Sequence, residues 1–487
     1  MQELPAVIRK ELFQHGCLAV RREIWSAVRD FLTPDMFVPF MYVFYTTDIK
    51  QLEIPTLIRD QDRLTVLDML YNLGTPNGHE VESLKVKMFE NANISVGESY
   101  VLKRVLRGFR NLTSLTLWKV CDDAMLQIIG VSCRYLTSID IWKSVSVTDS
   151  GIRMFLGLDA ERPFRVCHTV KKVAIKDTSV TDSGAFNLMI HCDNLETLEF
   201  SQDTFLPQLL WRISENYLRT KTMFNLKTLF MQVNKPCLMI NVVKSLPKLD
   251  ELSVWTSLEF PQGLKSEYMR NISRLKLGGL THHSFLNQMC SLLGSQLSYL
   301  KIETVHFDVD ISVIGQECPN IEELNIINAK VKASKHIDSQ SEIFSKLKLL
   351  YFFLVQYFID PVPRYPSSSS PSPPSPASPA TVPTPSTGHT ALHTLLEKGT
   401  NLESVQVSGT PALTDSCMDR ILVCNPLSKC KRLVISHPLS IDHTVVPLTA
   451  RTVTKLQLAC TALTTLGDLK HWAVTPTQRR KLSRSLR

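Results

Sequence analysis

The chain has 487 residues, of which 44% are hydrophobic and 21% charged, enough apolar material for a continuous core and too little charge for a disordered chain. The formal net charge of +8 does not describe a nucleic-acid-binding surface, because Arg479, Arg480, Lys481, Arg484 and Arg487 supply five of the eight charges within the last nine residues and leave the body nearly balanced. The opening string MQELPAVIRKELF lacks the basic, apolar and small-residue succession of a secretory signal, and the longest apolar runs, Met36 to Tyr45 and Leu349 to Ile359, are too short to cross a bilayer. The expectation is a chain of the cytoplasm or nucleus with no membrane contact.

In chain order, residues 1 to 80 show helical apolar spacing at Leu4 to Phe13 and Ala19 to Phe31 and carry no repeat, which predicts an N-terminal helical cap. From Val81 onward the pattern apolar-x-x-apolar-x-apolar recurs, with starts at Val81, Leu112, Leu136, Val170, Leu195, Leu226, Leu249, Ile272, Leu297, Ile321, Leu347, Leu402 and Val453. One more start lies at Leu427 or Cys430. Most successive starts are 23 to 26 residues apart. Apolar residues at the fourth and sixth positions, alternating with polar ones, predict a short strand with one buried face. A helix should follow each strand. After Val147 comes Thr148-Asp149-Ser150-Gly151, after Val180 comes Thr181-Asp182-Ser183-Gly184, and near the far end stands Thr414-Asp415-Ser416. Thr and Asp oxygens can satisfy the free amides of a helix N-terminus.

Cys133, Cys167, Cys192 and Cys318 each precede a repeat start by three residues, so four of the twelve cysteines share one register. They are expected as reduced, buried thiols packed at the corner between helix and strand, with no disulfide frame, metal or cofactor. Between Leu347 and Leu402 the spacing widens to accommodate PVPRYPSSSSPSPPSPASPATVPTPSTGH, whose proline and serine density predicts a disordered loop at 361–389. Its Ser-Pro and PxxP pairs also fit phosphorylation or SH3/WW binding. Residues 390–472 should resume the repeats, and 473–487 should form a basic tail.

A strand-helix unit recurring at this period predicts an α/β leucine-rich-repeat solenoid, a horseshoe of about 13 to 14 repeats behind the N-terminal cap, with its first run over 81–360. The strings VTDSGIRMF and VTDSGAFNLMIHCDNLETLEF resemble the cysteine-containing repeats of the F-box/leucine-rich-repeat family and related ribonuclease-inhibitor-like solenoids, over roughly Val81 to Leu458. That resemblance implies a substrate-recognition subunit of a cullin-type ubiquitin ligase, in which the solenoid holds the substrate and residues 1–45 hold a Skp-type adaptor and, through it, the cullin. Leu4-Pro5, Val7, Ile8, Leu12 and Phe13 look like the beginning of an F-box, but Trp25 comes earlier than the family's tryptophan and no second half follows. The alternative is a scaffold that is not part of a ligase, whose N-terminal region only caps the repeats.

In such a fold the third, fifth and seventh positions line the concave face. The seventh-position column includes Trp118, Trp142, Trp255 and Phe353, so three of the six tryptophans share it, and the third and fifth positions add Phe230, Tyr299 and Tyr351. Large aromatics on an exposed face are the residue types that anchor protein interfaces, while packing against neighbouring repeats is the other reading of the column. No glycine-rich phosphate loop, GxSxG elbow, HExxH or convincing carboxylate pair is present, so an interaction protein rather than an enzyme is expected, with a protein partner on the concave face.

Overall fold

In a computed structural model of the chain the described residues are 50–57, 67, 71, 81–88, 95–200, 206–233, 235–333, 343–353, 387–408, 413–436, 448–467, 472–475 and 477. They belong to two compact units, Met1–Leu229 with Asn241–Leu249, and Phe230–Ile240 with Asp250–Arg487. The first contains β1 (Gln51–Leu57), β2 (Ser83–Met88), α1 (Val96–Gly108), β3 (Ser114–Trp118), α2 (Asp123–Ser132), β4 (Ser138–Asp140), α3 (Asp149–Leu156), α4 (Val166–Thr169), β5 (Lys172–Ala174), α5 (Asp182–His191), β6 (Thr197–Glu199) and α6 (Leu206–Thr220). Strands β1 to β6 form a six-stranded sheet in sequence order, each parallel to the next.

Next come β7 (Thr228–Gln232) and α7 (Pro236–Lys244), across which the division between units falls. The second unit continues with β8 (Glu251–Trp255), β9 (Arg274–Gly278), α8 (His283–Leu293), β10 (Tyr299–Glu303), β11 (Val309–Asp310), α9 (Ile311–Glu317), β12 (Glu323–Ile327), β13 (Val331–Lys332) and β14 (Leu349–Phe353). After the insertion follow α10 (Thr387–Lys398), β15 (Ser404–Ser408), α11 (Asp415–Cys424), β16 (Arg432–Ser436), α12 (Ala450–Ala459) and β17 (Thr465–Gly467). A nine-stranded sheet runs from β7 to β17, while β11 and β13 pair separately. Both units are runs of α/β leucine-rich repeats.

The strands arise where the fourth and sixth positions are apolar. Leu115 and Leu117 in β3 and Leu252 and Val254 in β8 are buried against the helical layer, each such side chain contributing about 1.5–3 kcal/mol. The eighth position is left-handed in repeat after repeat: Lys119 (φ 64°), Lys143 (φ 58°), Asp177 (φ 54°), Thr304 (φ 50°) and Asn328 (φ 50°). Their amides still serve the sheet, because Lys119 N–H donates to the Trp142 carbonyl at 3.0 Å and Asn328 N–H to the Phe353 carbonyl at 2.9 Å. The chain therefore leaves the sheet after the seventh position.

Helix starts are tied from repeat to repeat. Thr148 caps its own helix by accepting from Ser150 N–H, and its own N–H and hydroxyl donate to the two carboxylate oxygens of Asp123 in the preceding repeat, at 2.8 and 2.7 Å. Thr181 binds Asp149 in the same way, as Thr449 binds Asp415. So the threonine closes its helix, and the aspartate one residue on reaches forward to the next. The glycine in the same string makes room: a Cβ at Gly151 would lie 2.1 Å from Asp123 Oδ1, and one at Gly184 2.4 Å from Asp149 Oδ1.

The helix-to-strand corner carries a second ladder. Asn194, Asn225 and Asn320, each immediately before a repeat start, donate through Nδ2 to the carbonyls of His168, Asp193 and Ser295 one repeat earlier, at 2.6–2.7 Å. Buried in the same corner are Cys133, Cys167, Cys192 and Cys318, joined by Cys460, which precedes Leu463 by three residues. The thiols of Cys133 and Cys460 donate to the carbonyls of Phe109 and Pro426.

The structure corrects several expectations. Val453 does not start a strand: Val453 and Leu456 are buried on α12 while Leu458 is exposed, a helical spacing that mimics the strand motif, and the strand start is Leu463 ahead of β17. The neighbouring ambiguity resolves to Cys430, since β16 occupies the third to seventh positions counted from it. The span 1–80 is not wholly outside the repeats, because β1 pairs with β2 from Gln51↔Ser83 through Ile54↔Val86. Its ladder shifts between Ile54 and Leu57, around Pro55, which has no amide to donate and is tolerated on an edge strand. With β1 added, the two main sheets hold 15 strands among the described residues rather than 13 to 14. At the boundary of the basic tail, Ala473 bridges to Thr449, and Trp472 and Val474 are buried.

The inserted segment leaves the sheet undisturbed: β14 pairs with β15 in register from Leu349↔Ser404 to Phe353↔Ser408. α10 already begins at Thr387. The remainder of the 361–389 loop, the predicted helices at Leu4 to Phe13 and Ala19 to Phe31, and nearly all of the basic tail lie outside the described residues.

Candidate functional site

Alternation along each strand leaves the third, fifth and seventh side chains on the sheet face away from the helices. In the first unit Trp118 ends β3, and Trp142 stands two residues beyond Asp140, the last residue of β4. Both indoles are half-buried, with centroids 4.8 Å apart and planes at 87°. Edge-to-face pairs of this kind contribute about 0.5–1.5 kcal/mol beyond simple burial. Each indole N–H is held by the following repeat: Trp118 Nε1 donates to Asp140 Oδ2 at 2.7 Å and Trp142 Nε1 to Asp177 Oδ2 at 2.9 Å. Lys87 Nζ lies 3.9 Å above the Trp118 ring and Lys143 Nζ 4.6 Å from the Trp142 ring. The pair is thus fixed in orientation before any partner arrives, with its apolar ring surface partly open.

Charges around it are mixed in sign. Lys85 pairs with Glu53 at 3.2 Å, and Glu199 takes both Lys172 and Lys176, at 3.0 and 2.8 Å. Burial pushes the Glu199 carboxyl up, but the two lysines outweigh it and hold it below its usual value.

In the second unit the aromatic positions differ in kind. Trp255 is half-buried and lies over the backbone of the next repeat, where a Cβ at Gly278 or Gly279 would come within 2.3 Å of its ring. Those glycines make its platform. Tyr299 is buried, with the Arg274 guanidinium 3.9 Å from its ring centroid and its hydroxyl accepting from Asn325 Nδ2 at 3.1 Å. The expectation of an open aromatic at that position is therefore corrected: the long side chain of Arg274 covers it. Phe230 and Tyr351 are half-buried, and Phe353 is 43% exposed.

The sequence-chosen residues do not make one site. Trp118 and Trp142 touch each other; among the others, Tyr351 and Phe353 share β14 with Leu349, so the third, fifth and seventh positions of that strand are all apolar or aromatic. Asp140, Asp177 and Lys87 were missed, and the signal for Asp140 was a carboxylate at the fifth position of the repeat that carries Trp142. Among the described residues no group of three or more His, Cys, Asp or Glu side chains is placed to hold a metal ion, and no helix is long and apolar enough to cross a membrane.

No family model matches the chain, and no curated protein matches it. Among solved structures it is similar to an internalin (inlF) from Listeria monocytogenes str. 4b F2365, at 12% identity and a TM-score of 0.33, covering 89% of this chain and 93% of that one. It is also similar to the protein in the crystal structure of a TLR13–ssRNA13 complex, at 13% identity and a TM-score of 0.38, covering 86% of this chain and 57% of that one.

Proposed function

We propose that the chain is a protein-interaction module that holds its partner on the open sheet face, with Trp118 and Trp142 as anchors. The observation that carries this reading is the oriented tryptophan pair: both polar edges are satisfied within the protein, and the surface left for a partner is aromatic. Rigid aromatics at such positions dominate binding energies in protein interfaces. Lys85, Lys172 and Lys176 on the same face are paired with carboxylates, which suits a polypeptide better than a polyanion.

Trp118→Ala and Trp142→Ala should each weaken capture of the partner by about thirtyfold with little change in the circular dichroism melt. If the indoles serve packing alone, the same changes should cost about 3–5 kcal/mol of stability, and binding should fall only with unfolding.

The finer proposal is a substrate-recognition subunit of a cullin-type ubiquitin ligase. It is supported by the Thr-Asp-Ser-Gly repeats and by Leu4-Pro5 with the apolar positions behind it, although residues 1–45 lie outside the described residues. Affinity capture with the full chain should recover a Skp-type adaptor and a cullin, and removal of residues 1–45 should abolish both while sparing the partner on the sheet face. Retention of that partner without adaptor or cullin returns the scaffold reading.

A further inference from the structure

A cleft of about 680 Å³ opens on the first unit, away from the sheet face, between the C-terminal ends of α1 and α2. Its walls carry Arg107, Arg110 and Arg134, its aliphatic surface comes from Ile128 and Val131, and Tyr135 stands at its edge with half of its surface exposed. Among the described residues no carboxylate lines it. None of the three arginines takes part in an ion pair among the described residues.

At the second position of three other repeats a lysine is neutralised by a glutamate one repeat away: Lys227–Glu196, Lys348–Glu322 and Lys431–Glu403, at 2.8–2.9 Å. The corresponding residues beside the cleft are Thr113 and Thr137, which carry no charge. Tyr135 also takes the place of a ladder asparagine, a position held by Thr169, Lys248 and Lys346 in other repeats. Where Asn194, Asn225 and Asn320 stand immediately before their repeat starts, the repeat beginning at Leu136 has Tyr135, which cannot donate as an amide does. At the cleft an uncharged second position and a ladder position without an amide side chain coincide with a concave, arginine-lined surface.

We propose that this cleft binds a peptide carrying a phosphoserine followed by proline. Guanidinium groups match a phosphate through paired N–H donors, and arginine clusters are a recurring means of recognising phosphorylated segments. Tyr135 with Val131 and Ile128 offers a flat apolar surface for the proline ring beside it. The volume lies within the range of pockets that enclose a small ligand. In the next repeat the Arg165 guanidinium lies 5.6 Å from the Tyr135 ring, and beyond it His168 stands against Asp193 at 2.8 Å, which places a carboxylate beside the cationic run.

The chain's own Ser367–Pro379 sequence, with its Ser-Pro pairs, supplies a defined probe. A fluorescent peptide of that sequence phosphorylated at Ser375 should bind the full-length protein at least about tenfold more tightly than its unphosphorylated form, and Arg110→Gln and Arg134→Gln should each weaken it by about tenfold. Tyr135→Asn should weaken binding without lowering the melting temperature, because it restores the ladder residue. Equal binding of the two peptides, or undiminished binding by both arginine variants, would overturn the proposal. So would an oligoribonucleotide or a phosphoinositide-containing vesicle that displaces the phosphopeptide and depends on the same arginines, since the cleft would then belong to that ligand.

Discussion

At the scale of single residues, the fold depends on close approaches that only small or acidic side chains allow. Gly151 is the sharpest case, because its missing Cβ leaves space for the carboxylate that binds Thr148. Gly151→Ala should therefore destabilise the first unit by about 2–3 kcal/mol in urea unfolding, although alanine is the better helix former. Gly97→Ala, with nothing within 4 Å of the added carbon, should be neutral or slightly stabilising. Asp415 tests the same bridge by charge. Burial pushes its carboxyl up, but hydrogen bonds from Thr449 and Thr452 outweigh that and hold it below its ordinary value. A carboxyl lowered in the folded state stabilises the fold above its unfolded pKa of about 3.9, and that contribution is lost as pH falls through the folded value. The destabilisation by Asp415→Asn should accordingly be largest near neutrality and shrink below about pH 4 in unfolding curves measured across pH.

At the scale of elements, the cysteine corner shows how a column of one residue type serves packing. Burial pushes the Cys133 thiol up to about 12 and the Cys167 thiol up to about 11, and Cys460, raised first by burial and then by Cys430, reaches about 12. Such thiols stay protonated and unreactive near neutrality. Cys237 and Cys424 are exposed, so a thiol reagent applied to the native protein should label these two first among the described cysteines, with the corner thiols appearing only on unfolding. Mass spectrometry of the labelled peptides reads the order directly. Rapid labelling of Cys133 or Cys192 in the native state would contradict the buried corner. The strands behave alike: β14 keeps its register against β15 across the long insertion, because ladder bonds and the buried Leu350 and Phe352 fix alignment without help from the connection.

At the scale of the whole molecule, stability should be the sum of repeats and of contacts between neighbours. Cys192→Asp, which places an unpaired charge in a packed corner, should therefore remove hydrogen-exchange protection around α5 and β6 while leaving β10, β12 and β14 protected; uniform loss would mean that the repeats unfold as one body. The amino-acid sequence by itself determined the repeat, the alternation within its strands and the threonine-capped helices, because these patterns are local and sample a single element. It also marked Trp118 and Trp142 as members of one column. The sequence misled where a local pattern has two solutions, as at Val453, whose apolar spacing serves a helix as well as a strand. β1 escaped notice because its isolated strand pattern, broken by Pro55, gains meaning only against β2. What the tertiary structure alone decided is which side chain covers which across residues about one repeat apart: Arg274 over Tyr299, Asp140 under Trp118, and three arginines gathered beside Tyr135 with no ion pair among the described residues. Those contacts depend on the lateral stacking of successive repeats, and no spacing within one repeat encodes it.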